Sequence, residues 1–315
     1  MGILWEVCAV FLERFTLPID REKELLNKWA IHNSSSAPYI DNPYPCGLFD
    51  KKELYEIYFR NITIFYGGNG SGKSTLLNLI AQKLELNRIA PFNSGEMIES
   101  YVIACEYELG YDDEGFRHRI PNGSRIISSD DIFDYMLTVR SNNVEIGEMK
   151  EVARKEWGNL YFGDTVKFNG LEDYEANRLQ LLARQKSVSR RKFIRRTAGE
   201  EVKLNSNGET ALQYFESKLK NDTLYCLDEP ENSLSPKLQQ ELADMLAEKA
   251  RYCGCQLIIA THSPFLLAIE GARIYDLDSS PVKIKNWWQL DNVRIYYDFF
   301  MKHCKLFDCE NAELK

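Results

Sequence analysis

Gly67-Gly68-Asn69-Gly70-Ser71-Gly72-Lys73-Ser74-Thr75 follows the apolar run Ile62-Thr63-Ile64-Phe65-Tyr66 and precedes Leu76-Leu77-Asn78-Leu79-Ile80. From Gly67 to Ser74 the spacing is G-x-x-x-x-G-K-[ST], so a strand, a glycine-rich loop and a helix are expected in that order. Glycines let successive backbone N–H groups converge on a polyphosphate, and the helix N-terminus adds a dipole that favours anions. Lys73 is expected to reach the β- and γ-phosphates and Ser74 to ligate Mg²⁺. Gly67, Asn69, Gly70, Ser71, Gly72, Lys73, Ser74 and Thr75 are therefore the candidate nucleotide-binding residues. A turn matching the pattern by chance would lack the flanking strand and helix, so the stretch predicts a nucleoside triphosphate site.

The rest of the composition bounds this reading. A chain of 315 residues with 44% hydrophobic content can form one large α/β core with insertions. A net charge of -8 argues against a surface coated for nucleic acid, although one local basic groove is compatible with it. The cysteines (Cys8, Cys46, Cys105, Cys226, Cys253, Cys255, Cys304, Cys309) are scattered without the paired C-x-x-C knuckles of a zinc site. Cys253-Gly254-Cys255, in the turn before an apolar strand, reads as structural. Glu6 and Glu13 interrupt the N-terminal apolar stretch, so no signal peptide is expected. No run approaches the roughly 20 apolar residues of a membrane span. A cytoplasmic protein with no membrane association is expected.

Along the chain, Ile3 to Phe15 reads as a strand, a helix begins at Asp20 behind Pro18, and Ser34 to Pro45 reads as loop. Residues 85–170 are broken by Gly, Asn and Asp and read as irregular. A charged helical pattern runs from Leu171 to Arg196, and Thr210 starts another helix. Thr223–Leu227 and Gln256–Ala260 are short and apolar, as parallel strands buried on both faces should be. The expected fold is α/β, a mixed sheet flanked by helices, in a single domain over 1–315. Its parts are an N-terminal strand region (1–60), the P-loop unit (60–85), a helical insertion (86–200), a second motif-bearing segment (201–280) and a tail (281–315).

The ends of the two buried strands carry the chemistry. Thr223-Leu224-Tyr225-Cys226-Leu227 runs into Asp228-Glu229-Pro230, which sets two acids at the carboxyl edge where ligands of open α/β sheets bind. Asp228 fits the acid that organises Mg²⁺. Glu229 fits the base that takes a proton from an attacking water, a role contributing about 10²- to 10⁴-fold. The second strand ends in Thr261-His262-Ser263-Pro264, where His262 can contact a γ-phosphate. The bland alternatives are a surface acidic turn and a satisfied structural histidine.

With these residues together, the chain resembles the ABC-type ATPases, in particular the branch holding chromosome-maintenance, double-strand-break-repair, OLD-like and phage-defence ATPases. Gly67–Thr75 resembles Walker A, Ser206-Asn207-Gly208-Glu209 the signature motif in an S-x-G-E form, and Leu224–Glu229 Walker B with its catalytic glutamate. Asn232-Ser233-Leu234-Ser235 resembles the D-loop and His262 the switch histidine. Small standalone AAA-family ATPases, among them Septu- and retron-type defence proteins, are similar in Glu229-Pro230-Glu231-Asn232-Ser233-Leu234-Ser235-Pro236 and in Ala260 to Ala268. The resemblance covers residues 60–85 and 200–280. It implies ATP and Mg²⁺ as cofactors, with Lys73, Glu229 and His262 catalytic and Ser74 and Asp228 holding the metal. It also implies that Ser206, Gly208 and Glu209 complete the ATP site of a second copy, giving a two-fold dimer that ATP closes and hydrolysis loosens. Ser128-Ser129-Asp130-Asp131 stands where relatives carry a Q-loop, so Asp130 or Asp131 is expected either to touch Mg²⁺ or to cap a helix. The signature's departure from L-S-G-G-Q argues against a transporter subunit.

Arg184, Lys186, Arg190, Arg191, Lys192, Arg195 and Arg196 form a positive block with no acid among them. It reads as a nucleic-acid backbone site, a docking or phosphate site, or a solvated helix face. Asp276-Leu277-Asp278 resembles the paired acids of a topoisomerase-primase nuclease, but the tail is too short for that domain and the acids read as caps of a core strand. Trp287-Trp288 and Tyr296-Tyr297-Asp298-Phe299-Phe300 read as packing for a final helix or a partner surface. Three functions fit: an ATPase switch controlling a partner effector, in phage defence as the resemblance to the small family implies, a DNA-repair or DNA-end-binding ATPase, and a nucleotide-dependent scaffold with little turnover.

Overall fold

A computed structural model describes residues 10–32, 43–92, 95–112, 114–162, 178–182, 189–199 and 206–307. They fall into two compact units, one drawn from Met1–Ile132 and Ala211–Lys315, the other from Phe133–Thr210. The second unit lies mostly within the segment 86–200 expected to be a helical insertion.

The first unit is built on two sheets. Strands β1 (Leu12–Thr16), β2 (Glu56–Tyr58) and β4 (Glu106–Leu109) form an antiparallel sheet in the order β2-β1-β4. Strands β3 (Ile62–Tyr66), β5 (Arg125–Ser128), β6 (Leu224–Asp228), β7 (Gln256–Ala260), β8 (Arg273–Asp276) and β9 (Lys283–Ile284) form the second, in the order β5-β6-β7-β3-β8-β9. All neighbours in it run parallel except the β8–β9 edge. Every residue of β3 and β7 is buried, which is why both read as unbroken apolar runs. Register brings Asp228 level with Ala260, Ala260 level with Phe65, and Tyr66 level with Asp276. Parallel alignment thus gathers the carboxyl ends of β3, β6, β7 and β8 at one edge.

Gln256 joins the sheets. Its amide accepts from the Leu12 N–H and donates to the Leu12 carbonyl, both at 2.8 Å, with no exposed surface. A buried amide costs stability unless paired in this way.

Helices α1 (Glu22–His32), α2 (Lys73–Lys83) and α3 (Glu96–Ala104) belong to this unit. Leu76, Leu77 and Ile80 of α2 are wholly buried in one core with Phe65, Leu224, Cys226, Ile258 and Ala260, each such side chain adding about 1.5–3 kcal/mol. That packing fixes the helix following the glycine loop against the strands that end beside it.

Of the strand expected over Ile3 to Phe15, the described part is β1, Leu12–Thr16, and residues 3–9 lie outside the described residues. One expectation is corrected. The stretch 85–170, read as irregular, holds α3, β4, β5 and the 34-residue helix α4 (Ser129–Phe162). In the second unit, Trp157 of α4 lies 5.3 Å from Phe193 of α5 (Arg190–Ala198). Helix α6 (Asn207–Lys218) starts there, and α7 (Pro236–Tyr252), α8 (Pro264–Leu267) and α9 (Asp291–Lys302) complete the first unit. Tyr296, Tyr297, Phe299 and Phe300 of α9 are exposed.

Candidate functional site

The loop between β3 and α2 has the shape its glycines permit. A Cβ on Gly67 would fall 2.6 Å from Ser71 Oγ, and Gly72 has φ +99° with Leu48 and Phe49 packed 3.2 Å from where its Cβ would be. Gly72 caps α2 without a side-chain hydrogen bond, so the first amides of the helix face the loop unclaimed by a cap. Ser71 Oγ is buried with no hydrogen-bond partner, and Asn69 and Gly70 form the exposed tip. Orphan donors around a glycine cradle fit a polyphosphate.

Lys73 is 4% exposed and folds over this loop, its ammonium 2.8 Å from Gly67 O, 3.2 Å from Gly68 O and 2.8 Å from His262 Nε2. A lysine ammonium only donates, so His262 Nε2 accepts and the ring proton sits on Nδ1. Burial lowers the Lys73 pKa, opposed by Glu229 and Asp228, and Glu229 Oε1 lies 3.8 Å away. Thr75 is bonded through its hydroxyl to Tyr44.

Ser74 Oγ donates to Asp228 Oδ1 at 2.9 Å. Burial raises the Asp228 pKa to about 6, with the Ser74 bond opposing and Glu229 adding to it. A largely buried carboxylate beside a serine hydroxyl suits a hard ion with oxygen ligands, the donor set Mg²⁺ prefers together with phosphate oxygens. Among the described residues no group of three His, Cys, Asp or Glu could hold a metal alone.

Glu229 adopts φ +48°, a left-handed conformation unusual for a non-glycine residue. Its N–H donates to Ala260 O at 2.9 Å, Oε2 accepts from Asn232 Nδ2 at 3.1 Å, and Oε1 lies 3.4 Å from His262 Nε2. Lys73, Ser74, Asp228, Glu229 and His262, separated by up to 189 positions, meet at this edge. The geometry allows a triphosphate to be cradled, a cation to be held on Ser74 and Asp228, and a water to be deprotonated at Glu229.

Two residues that the sequence did not assign to the site stand close by. Glu231 Oε1 accepts from Thr261 Oγ1 (2.6 Å), His262 N (2.7 Å) and Ser263 N (3.1 Å), while its Oε2 is buried unpaired. It ties the end of β7, and with it His262, to the turn after β6. Its only sequence signal was the second acid of Glu-Pro-Glu. Asp278, read as a strand cap, instead accepts from the Gly68 N–H at 2.8 Å and so clamps the first turn of the loop. Asp276 keeps the structural part, accepting from the Asp278 N–H and pairing with Lys285 at 2.6 Å.

Of the two acids at the start of α4, Asp131 is 2% exposed and fully engaged: Oδ2 accepts from Ser128 N and Ser128 Oγ, Oδ1 from Ala90 N. The hydrogen bonds draw the capping role for it, whereas Asp130 is exposed. In the second unit, Ser206 and Glu209 form a reciprocal cap on α6, Glu209 Oε2 accepting from Ser206 N (2.8 Å) and Oγ (3.0 Å) and Glu209 N donating to Ser206 Oγ (3.3 Å). These bonds lower the Glu209 pKa. Gly208 is buried beneath the turn. Arg190, Arg191, Lys192, Arg195 and Arg196 lie on α5, capped by Ser189, whose Oγ accepts from Lys192 N at 3.2 Å. Arg184 and Lys186 lie outside the described residues.

The family model described as ABC transporter matches residues 55–232, and one described as "AAA domain, putative AbiEii toxin, Type IV TA system" matches residues 210–268. No curated protein matches the sequence. Among solved structures, the chain is similar to the ATP-binding cassette MJ0796 in a dimeric post-hydrolysis state with ADP and Pi (15% identity, 74% of this chain and 88% of that one, TM-score 0.35). It is also similar to the Smc head domain of Pyrococcus furiosus bound to the C-terminal domain of ScpA (13% identity, 73% and 91%, TM-score 0.34). A third is the SMC head domain from Thermotoga maritima (14% identity, 73% and 92%, TM-score 0.32). No helix among the described residues is long and apolar enough to cross a membrane. The model that spans β3, the glycine loop and β6 covers more than half of the chain, which therefore belongs to the ABC-type ATPase family.

Proposed function

We propose that this chain is a cytoplasmic ATP-driven switch: two copies close around ATP and Mg²⁺, hydrolysis at Glu229 loosens them, and the change controls a separate effector protein in phage defence. The meeting of Lys73, Ser74, Asp228, Glu229 and His262 at one sheet edge carries the catalytic half of this reading. Lys73 orients the β- and γ-phosphates, Ser74 and Asp228 hold the cation, Glu229 accepts the water's proton, and His262, steadied by Glu231, reads the γ-phosphate. The bound cation supplies charge neutralisation at the phosphates. Ser206 and Gly208 of a second copy complete the site, so ATP favours the dimer because it binds that state better. The toxin–antitoxin wording of the second matched family supports an effector-linked output.

The deciding experiment compares wild type with Glu229→Gln for ATP turnover, with and without double-stranded DNA, alongside mass in ATP and Mg²⁺. Slow turnover indifferent to DNA, lost in Glu229→Gln as an ATP-bound dimer accumulates, is the expected result. Stimulation by DNA would favour the repair reading, and no turnover in wild type would favour the scaffold.

A further inference from the structure

Lys150 and Arg154 of α4 and Arg190, Arg191 and Arg195 of α5, with Ile194 and Gly199, line a groove of about 650 Å³ in the second unit. None of its described lining residues is acidic, and Arg154 pairs with Glu151 on its own helix. The contact of Trp157 with Phe193 holds the two helices together. The sequence block contributed only the α5 side, and the fold adds the two α4 cations.

The arrangement works against the helices that carry it. Lys150 with Arg154, and Arg191 with Arg195, are like charges four residues apart, which disfavours helix. Arg190 and Arg191 occupy the first turn of α5, where the dipole favours acids. A multiply charged anion would add favourable contacts at both places. Residues four apart are separated by about 6 Å along a helix axis, so on each helix the cations stand about one turn apart along the groove wall. Four of the five are arginines, whose forked donors match phosphate oxygens. Cations spaced in this way suit phosphates arranged in a chain. In a protein of net charge -8 this positive field is local.

We propose that the groove between α4 and α5 binds the phosphate backbone of a nucleic-acid strand, through Lys150, Arg154, Arg190, Arg191 and Arg195, without reading base sequence. None of these residues belongs to the nucleotide site, so binding does not require ATP turnover.

The test is fluorescence polarisation of the full chain, without ATP, with a labelled single-stranded DNA of about 20 nucleotides and its duplex. Between about 50 and 200 mM salt, log affinity for the single strand should fall with a slope of about -2 to -4, as three to five neutralised phosphates would give. Arg190→Gln/Arg191→Gln/Arg195→Gln and Lys150→Gln/Arg154→Gln should each weaken binding by about tenfold or more while melting like wild type. A control of equal charge change on exposed lysines elsewhere, Lys237→Gln/Lys283→Gln/Lys302→Gln, should bind normally. If an arginine variant does not fold, the wild-type salt slope and competition decide. Absence of binding, loss in the control, or indifference to the α4 pair would overturn the proposal. So would displacement by sodium tripolyphosphate at equal phosphate concentration, which would mark a small-polyphosphate site, or by polyglutamate, which would mark an acidic-protein site.

Discussion

Two helices begin at motifs with opposite solutions to the same problem. Helix α2 starts at Gly72, which has no side chain to cap it, whereas α6 starts at Ser206 with a complete capping box to Glu209. A helix N-terminus leaves amides unsatisfied, and either the chain or a ligand must meet them. At α2 the chain withholds its own cap, which leaves the position open for phosphate. At α6 the chain supplies one, so the Ser206 turn is set by its own residues. The first end is left open and the second is closed by the chain itself.

The comparison breaks most readily at Lys73. Lys73→Ala should weaken ATP binding by about 2–3 kcal/mol, the loss of a charged hydrogen-bond donor at the open end, and titration calorimetry reads it. Binding that survives unchanged would mean that the open amides are not where ATP sits. Next comes Glu231→Ala, which strips three donors at the β7 end of their acceptor and should cost about 2–4 kcal/mol in thermal or urea unfolding. Glu231→Gln, which still accepts, should recover most of that stability. If both unfold alike, the clasp on His262 is not what holds that turn.

Ser206→Ala should cost about 1 kcal/mol of stability through the lost cap, and the same variant should fail to form the ATP-bound dimer. Glu209→Gln keeps a residue the capping box accepts and should stay within about 0.5 kcal/mol of wild type. A Glu209→Gln that folds normally but cannot dimerise would show that this carboxylate acts outside its own helix. The smallest effect concerns Glu22, whose pKa burial raises against bonds from Gly47 and Tyr101. A raised carboxyl contributes its stability below its ordinary value of 4.5 and loses it as pH rises. Glu22→Gln should therefore gain on wild type at pH 8, with the gain disappearing toward pH 4, in melting curves recorded across that range.

The P-loop, β6 and β7 were legible because their information is local: an apolar run, a glycine spacing, a carboxylate or histidine at a strand end. Other parts depended on partners far along the chain. Strands β2 and β4 are short and rich in Glu, and their pairing rests on Arg14 of β1, which bonds Glu56 on one side at 2.7 Å and Glu108 on the other. Neither acid announces a strand by itself. Helix α4 carries charges around much of its circumference and too weak an apolar stripe to declare its 34 residues. Asp278 and Glu231 were visible as acids, but the Gly68 and Ser263 amides they serve lie 210 and 32 positions away. The groove cations of α4 were hidden for the same reason.

The Gln256 amide that joins the two sheets also sets an order of events during synthesis. Its partner Leu12 is made 244 residues earlier. At roughly 5–20 residues per second, the ribosome takes about 12–50 s to cover that interval. For that time the first strand of the chain exists without the buried partner for its backbone, and β3 waits almost as long for β7 and β8. The nascent chain therefore carries its glycine loop well before it owns a sheet to hold it, and the core around that loop can close only once the residues of β7 and β8 have been made.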